Sequence, residues 1–205
     1  MRDVAIVGVG WYGFNGGSAL AANGIAATAF VATHLAGMAG MASWCLMEKI
    51  KQGNATTLGA ASGAIAGLAT VTPAAGFVGP VPAIIIGLIA GALCYLAVSM
   101  KNRLGYDDSL DVVGIHGLGG LVGTLCLGIF ASKLVNPDGA DGLLAGNPGF
   151  FATQVFGIVV VLVYAFAVSF VLLKIVNALF GLRVSLEDEV QGLDLTQHSE
   201  TAYNE

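Results

Sequence analysis

The side chains best placed for chemistry in this sequence are a histidine set among glycines and an aromatic face that carries a hydroxyl. His116 lies in DVVGIHGLGGLVG, Asp111–Gly123, inside an otherwise apolar run. An ionisable group in such a run is costly unless it meets a polar partner or a cavity. A neutral imidazole offers one donating and one accepting nitrogen. Gly114, Gly117 and Gly120 keep the segment slim around it. Two readings follow: a cavity-lining imidazole, or a core histidine bonded to a neighbouring carbonyl. Near the N-terminus, Trp11, Phe14 and Ser18 are spaced i, i+3, i+7 and share one helix face. An aromatic face holds a cation with roughly 0.5–2 kcal/mol, and a hydroxyl accepts from N–H donors. Ordinary aromatic packing is the plainer reading of that face.

Other polar residues point to structure. Asp107, Asp108 and Asp111 precede His116, where acidic groups complement a helix N-terminus, and Asp108 with Asp111 resembles a capping arrangement. His34, in FVATHLAGMAGMASW, reads as a packed or backbone-bonded helix histidine. Cys45, Cys94 and Cys126 fall inside apolar runs, where an odd count builds no disulfide framework. Gly8, Gly10 and Gly13 fit G-x-G-x-x-G, but a dinucleotide site needs an acidic residue about 20 positions on. After Asp3 the next acidic residue is Glu48. No nucleophile–base pair or metal-ligand cluster stands out, so the expectation is a non-enzyme without a cofactor. With 8 basic and 13 acidic residues, no basic surface for nucleic acid is available.

The elements that must carry these residues are membrane helices. Mean hydropathy is +0.83; charged residues make up 10% of the chain, against about 25% in soluble domains. Glycine reaches 30 of 205 residues, and Gly is frequent where membrane helices approach closely. Six apolar segments approach spanning length, about 20 residues: Val4–Ala22, Ile25–Met47, Thr57–Val78, Val81–Met100, Leu110–Ala131 and Phe150–Leu182. The break at Asn23-Gly24 is the faintest. No signal-peptide cleavage pattern opens the chain. This layout predicts an all-α polytopic bundle over residues 1–182 and a polar tail over 183–205. It also puts Arg2, Lys49, Lys51, Lys101, Arg103, Lys174 and Arg183 on one side, with only Lys133 opposite. The positive-inside rule makes that side, and both termini, cytoplasmic.

Small residues four apart, Gly59/Gly63/Gly67, Gly87/Gly91 and Gly119/Gly123, predict flat faces for helix packing. In the tail, Ser185 with Asp188 is placed to cap a short helix through about Gln191, closed by Gly192. Thr196 offers a hydroxyl whose phosphorylation would add charge to that tail.

Four motifs in order carry a family resemblance: GWYGFNGGSAL (Gly10–Leu20), GFVGP (Gly76–Pro80), DDSLDVVGIHGLGGLVG (Asp107–Gly123) and GLRVSLEDEVQGLDLTQHSETAY (Gly181–Tyr203). Together they resemble the ammonium transporter family (Amt/Mep, related to Rh proteins). The resemblance implies a fold of two inverted five-helix repeats plus a long last helix and cytoplasmic tail, assembled as trimers with one pore per subunit. This chain resembles the second half only, with Met1 near the start of the sixth helix, which suggests a truncated product or fragment. By the same resemblance, Phe14 matches one of two stacked gate phenylalanines. Ser18 matches the vestibule serine that bonds incoming ammonium, and His116 one of twin pore histidines. Their counterparts, including a vestibule tryptophan and an acidic residue, belong to the first repeat; Trp11 is not that tryptophan and reads as packing. The implied activity is ammonium transport: deprotonation near the gate, ammonia conducted past the histidines, and the proton moved separately. The implied partners are ammonium or ammonia, a homotrimer or a complementing N-terminal half, the cell membrane, and a PII-type signal protein at the tail. Non-transporting regulation and an inert half are the alternatives.

Overall fold

The computed structural model describes residues 2–201. The side chain of Arg2, used above for orientation, and the tail residues Ala202 and Tyr203 lie outside the described residues. Among those described there is no strand. Two compact units result, Met1–Ile158 and Val159–Glu205.

The first unit holds α1 (Arg2–Gly17), α2 (Gly24–Gln52), α3 (Thr57–Val71), α4 (Pro80–Leu104), a π-helical turn (Val113–Gly117) that runs into α5 (Leu118–Phe130), and the start of α6 (Pro148–Leu179). Local chemistry sets the boundaries. Asn23 Oδ1 accepts from Ala26 N at 3.0 Å and starts α2, so the faintest sequence break is a capped one. Gly53 ends it in the left-handed region that glycine tolerates (φ 87°), with Lys49 and Lys51 in the last turn. Thr56 caps α3, while the buried Glu48 carboxylate accepts from Thr56 N at 2.7 Å and from its hydroxyl at 3.1 Å. The end of α2 is thereby fastened to the start of α3. Pro80 opens α4, where its missing N–H is no loss.

Among the described residues, four helices are long and apolar enough to cross a membrane: Gly24–Gln52, Pro80–Lys101, Val113–Phe130 and Pro148–Leu179. The two other expected spans are shorter. Helix α1 stops at Gly17, where Gly16 and Gly17 precede a turn with Leu20 at φ 55°. Helix α3 stops at Val71 because Pro73 follows Thr72, and the chain turns through Phe77 instead of continuing to Val78. Its 15 residues cover ~22 Å at 1.5 Å per residue, less than a hydrocarbon core.

Backbone approach explains the glycines. Helix α2 is the hub of this unit. A Cβ on Gly67 or Gly87 would run into the Ala36 carbonyl, one on Gly91 into the Gly40 carbonyl, and one on Gly123 into that of Thr70. The freed space is filled by two apolar clusters, one around Ala36, Val71, Val78 and Ile86, the other around Trp44, Cys94, Tyr95 and Ile115. Cys94 and Cys126 are buried; Cys45 is half-buried.

The second unit carries the rest of α6, with α7 (Leu186–Gln191) and α8 (Leu193–His198). No residue of α6 is buried, although its hydropathy of 2.8 is the highest among the spans. Such a surface is stable against lipid or another protein rather than water. Ser185 Oγ accepts from Asp188 N at 3.1 Å and starts α7 as expected, and Arg183 Nη2 pairs with Glu189 Oε1 at 2.9 Å. Gly192 (φ 106°) separates the two short helices; α8 was not evident from the sequence.

Candidate functional site

Helix α1 aims its polar and aromatic groups at three other elements. Its Trp11 indole donates from Nε1 to Thr72 Oγ1 at 2.8 Å, just past the end of α3. One turn on, Asn15 donates from Nδ2 to Thr33 Oγ1 of α2 at 2.9 Å and to Thr72 Oγ1 at 3.4 Å. Both threonines hand their protons to their own helices, Thr33 to Ala29 O at 2.6 Å and Thr72 to Leu68 O at 2.7 Å. Their oxygens therefore face α1 as acceptors, and the indole plane is fixed by that bond.

The fixed indole backs His116. The two rings stack with centroids 6.0 Å apart and planes 14° from parallel. His116 sits in the π-helical turn Val113–Gly117, a local widening of the helix that recurs at functional sites. Its imidazole is exposed and makes no hydrogen bond with any described residue. The core-histidine alternative, an imidazole bonded to a backbone carbonyl, is thus not what forms. Both ring nitrogens remain available to a ligand.

Phe14 shares with Trp11, Val7 and Gly10 an apolar hollow of about 300 Å³, and its side chain is 64% exposed. Ser18 lies one residue beyond α1 but keeps the helical relation to Phe14. Its hydroxyl donates to the Phe14 carbonyl at 2.9 Å, which leaves its lone pairs free to accept. Trp11, Phe14, Ser18 and His116 are thus on one unit, with Trp11 touching His116 directly and Phe14 through a shared hollow.

Asp108 does cap: its two carboxylate oxygens accept from Val112 N and Val113 N, each at 2.9 Å. Asp111 does not share in the cap. The chain passes through it at φ 56°, and its carboxylate reaches back to form an ion pair with Lys101 at the end of α4. Lys101 Nζ also donates to Asp108 O at 2.7 Å. The π-turn that presents His116 is therefore pinned at its start by α4. His34 bonds the Tyr12 hydroxyl at 3.0 Å through Nδ1, rather than a backbone carbonyl. In the second unit, Thr196 Oγ1 donates to Gly192 O at 3.0 Å. Among the described residues no His/Cys/Asp/Glu group could hold a metal ion.

Sequence reading left Trp11 as packing and missed Asn15 and Thr72. The signal was partly present: Trp11 and Asn15 are one turn apart on α1, and both carry N–H donors.

The sequence model described as Ammonium Transporter Family matches residues 4–203. The ammonium transporter of Bacillus subtilis is 49% identical over 202 residues, covering 98% of this chain and 50% of its own length. The crystal structure of Saccharomyces cerevisiae Mep2 superposes with a TM-score of 0.84 at 38% identity, over 90% of this chain and 43% of that one. A solved structure titled Sensor Amt Protein gives a TM-score of 0.84 at 27% identity, over 95% and 47% respectively. The chain spans about half the length of the curated relatives it matches, 48–50%.

Proposed function

Because this chain, a multi-pass membrane protein, belongs to the ammonium transporter family, we propose that it forms one wall of an ammonium path whose facing wall is protein outside this sequence. The observation that carries this reading is the His116 imidazole, backed by Trp11 and unbonded at both nitrogens on a face that also presents Phe14. Ammonium arriving at Ser18 meets an acceptor oxygen, since the hydroxyl proton is committed to Phe14 O. Phe14 closes the path beyond. A bare ion entering an apolar tube faces a desolvation cost of nominally tens of kcal/mol, so the ion gives up a proton near the gate and ammonia moves on. His116 then offers it a donor and an acceptor, and the proton travels separately. Potassium has no proton to give up and is excluded.

The same reading makes residues 1–182 the membrane domain and 183–205 a cytoplasmic tail. It places both termini in the cytoplasm, by the sorting of Lys and Arg, and the protein in the cell membrane as a trimer or with a complementing half. The capped helices α7 and α8 suit docking to the protein itself or to a PII-type regulator, with Thr196 as the modifiable hydroxyl. A purely regulatory role is favoured by one observation, the likeness to a structure titled as a sensor.

Uptake of labelled methylammonium by vesicles separates these. The proposal expects uptake when this chain is co-expressed with the N-terminal half of a relative, and none from either half alone. Binding of a PII-type protein with no uptake from the pair supports the regulatory role and overturns conduction.

A further inference from the structure

One face of α4 runs along the π-helical turn that presents His116. Cys94, Val98 and Lys101 are spaced i, i+4, i+7 and share that face. They meet the turn in reverse order. Lys101 holds Asp111 in an ion pair, and a Cβ on Gly114 would come 2.7 Å from Val98 Cγ2. Cys94 Sγ donates to the Ile115 carbonyl at 3.9 Å. Ile115 is the residue before His116, and its side chain is buried in the same apolar cluster as Cys94.

The turn needs such a hold. Its start is fixed by Asp108 and Lys101. Its far end is fixed where α5 presses on α3: a Cβ at Gly119 would come 2.8 Å from Thr70 Oγ1 and 3.6 Å from Cys94 Sγ. Between the two ends the backbone widens, and the Leu118 N–H is divided between Val113 O and Ile115 O. Neither carbonyl has that donor to itself, so a further donor on Ile115 O favours the widened form. Slipping by one residue into α-helical register would turn the imidazole by about 100°, away from Trp11.

A thiol suits this place better than a hydroxyl. On these helices Ser and Thr return their protons to the carbonyl four residues back. Ser99 does so on α4 itself, to Tyr95 O at 2.7 Å, and Thr33, Thr72 and Thr124 do the same on theirs. A serine at position 94 would turn to Ala90 O in the same way and leave Ile115 O without its help. The thiol is a weaker donor with a longer reach, and at 1% exposure it is shut off from solvent.

We propose that Cys94 is a positioning residue: its S–H bond to Ile115 O holds the π-helical turn in the form that stacks the His116 imidazole on Trp11. Its consequence for transport rests on the reading of His116 as part of an ammonium path, whereas the ring geometry is measurable without transport.

The test uses the full chain in detergent micelles, isotope-labelled at histidine for magnetic resonance. It carries three imidazoles, those of His34, His116 and His198. The stacked indole displaces the His116 Cε1–H resonance; His116→Ala assigns that signal, and Trp11→Leu gives its unstacked position. Cys94→Ala should move the signal toward the unstacked position with helix content unchanged. Cys126→Ala makes the same deletion at a buried cysteine of the other apolar cluster and should leave the signal in place. Should Cys94→Ala lose its helix content, Cys94→Ser decides, with the same displacement expected. An unmoved signal, or equal movement in Cys126→Ala, overturns the positioning role. In the paired-half uptake assay, Cys94→Ala should lower the maximal rate about tenfold, as a misplaced group does, with half-saturation unchanged. A moved signal with normal uptake keeps Cys94 as the holder of the ring and sinks the imidazole's part in the path. A fall in uptake with an unmoved signal sinks the positioning role alone.

Discussion

Two threonines near the end of α3 should respond oppositely to the same substitution. Thr72→Val removes the oxygen that accepts from Trp11 Nε1 at 2.8 Å and from Asn15 Nδ2 at 3.4 Å. A net hydrogen bond contributes about 1 kcal/mol, the longer one less, and leaving the Asn15 N–H unmet adds a desolvation penalty. The sum is a loss of roughly 2 kcal/mol, enough to change the folded-to-unfolded ratio about thirtyfold. Thr70→Val removes a fully buried hydroxyl that has no hydrogen-bond partner and only the weakly polar Cys94 thiol beside it. Deleting a polar group already desolvated and unpaired should be neutral or stabilise by up to ~1 kcal/mol. The assay is unfolding of helix content in mixed micelles, read by circular dichroism. A second readout follows Trp11 alone: Trp44→Phe removes the other of the two tryptophans, and Thr72→Val should then shift Trp11 emission as the indole loses its anchor. Equal stability effects from the two valines, or an unmoved Trp11 emission, would refute the claim that Thr72 orients the ring behind His116.

Gly123→Ala should cost about 1–3 kcal/mol, since its methyl meets the rigid Thr70 carbonyl, while Gly120→Ala, with nothing within 4 Å, should change unfolding little. Asp108→Ala removes an acceptor of two backbone N–H groups and should lower stability by ~1 kcal/mol in the same unfolding assay. Asp108→Asn, which keeps one acceptor, should recover part of that loss. Phosphorylation of Thr196 would take its hydroxyl from Gly192 O and add negative charge near Asp194; amide hydrogen exchange over α8 should speed up, and unchanged exchange would count against the tail as a switch.

How much of this was written in the sequence depends on the range of each interaction. The helices were legible as apolar runs between polar breaks, and Ser185 as a local cap; the Asn23 cap, the left-handed stops at Gly53 and Gly105 and Pro80 at the start of α4 were seen only in the structure. Hydropathy alone overran α1 and α3, because an apolar run does not register that Gly16-Gly17 or Thr72-Pro73 turns the chain. The pairing of Asp111 with Lys101 was hidden because the two residues meet across a loop, and a carboxylate near a helix start reads as a cap in one dimension. Trp11 shows the limit most clearly. Its partners, Thr72 and His116, are far along the chain and on different elements. Periodicity on α1 could place Trp11 on a face but could not reveal what faced it. The π-helical turn at Val113–Gly117 had only its glycines as a cue, and those equally fit a slim α-helix.

The central claim is that the unbonded imidazole of His116 lines a route for ammonia. The most direct measurement is labelled methylammonium uptake by vesicles holding this chain with a complementing N-terminal half, comparing His116→Ala with His34→Ala, whose ring is bonded to Tyr12. The account predicts at least a tenfold loss of uptake for His116→Ala and near-normal uptake for His34→Ala. Equal uptake in both variants, or a loss confined to His34→Ala, would contradict it.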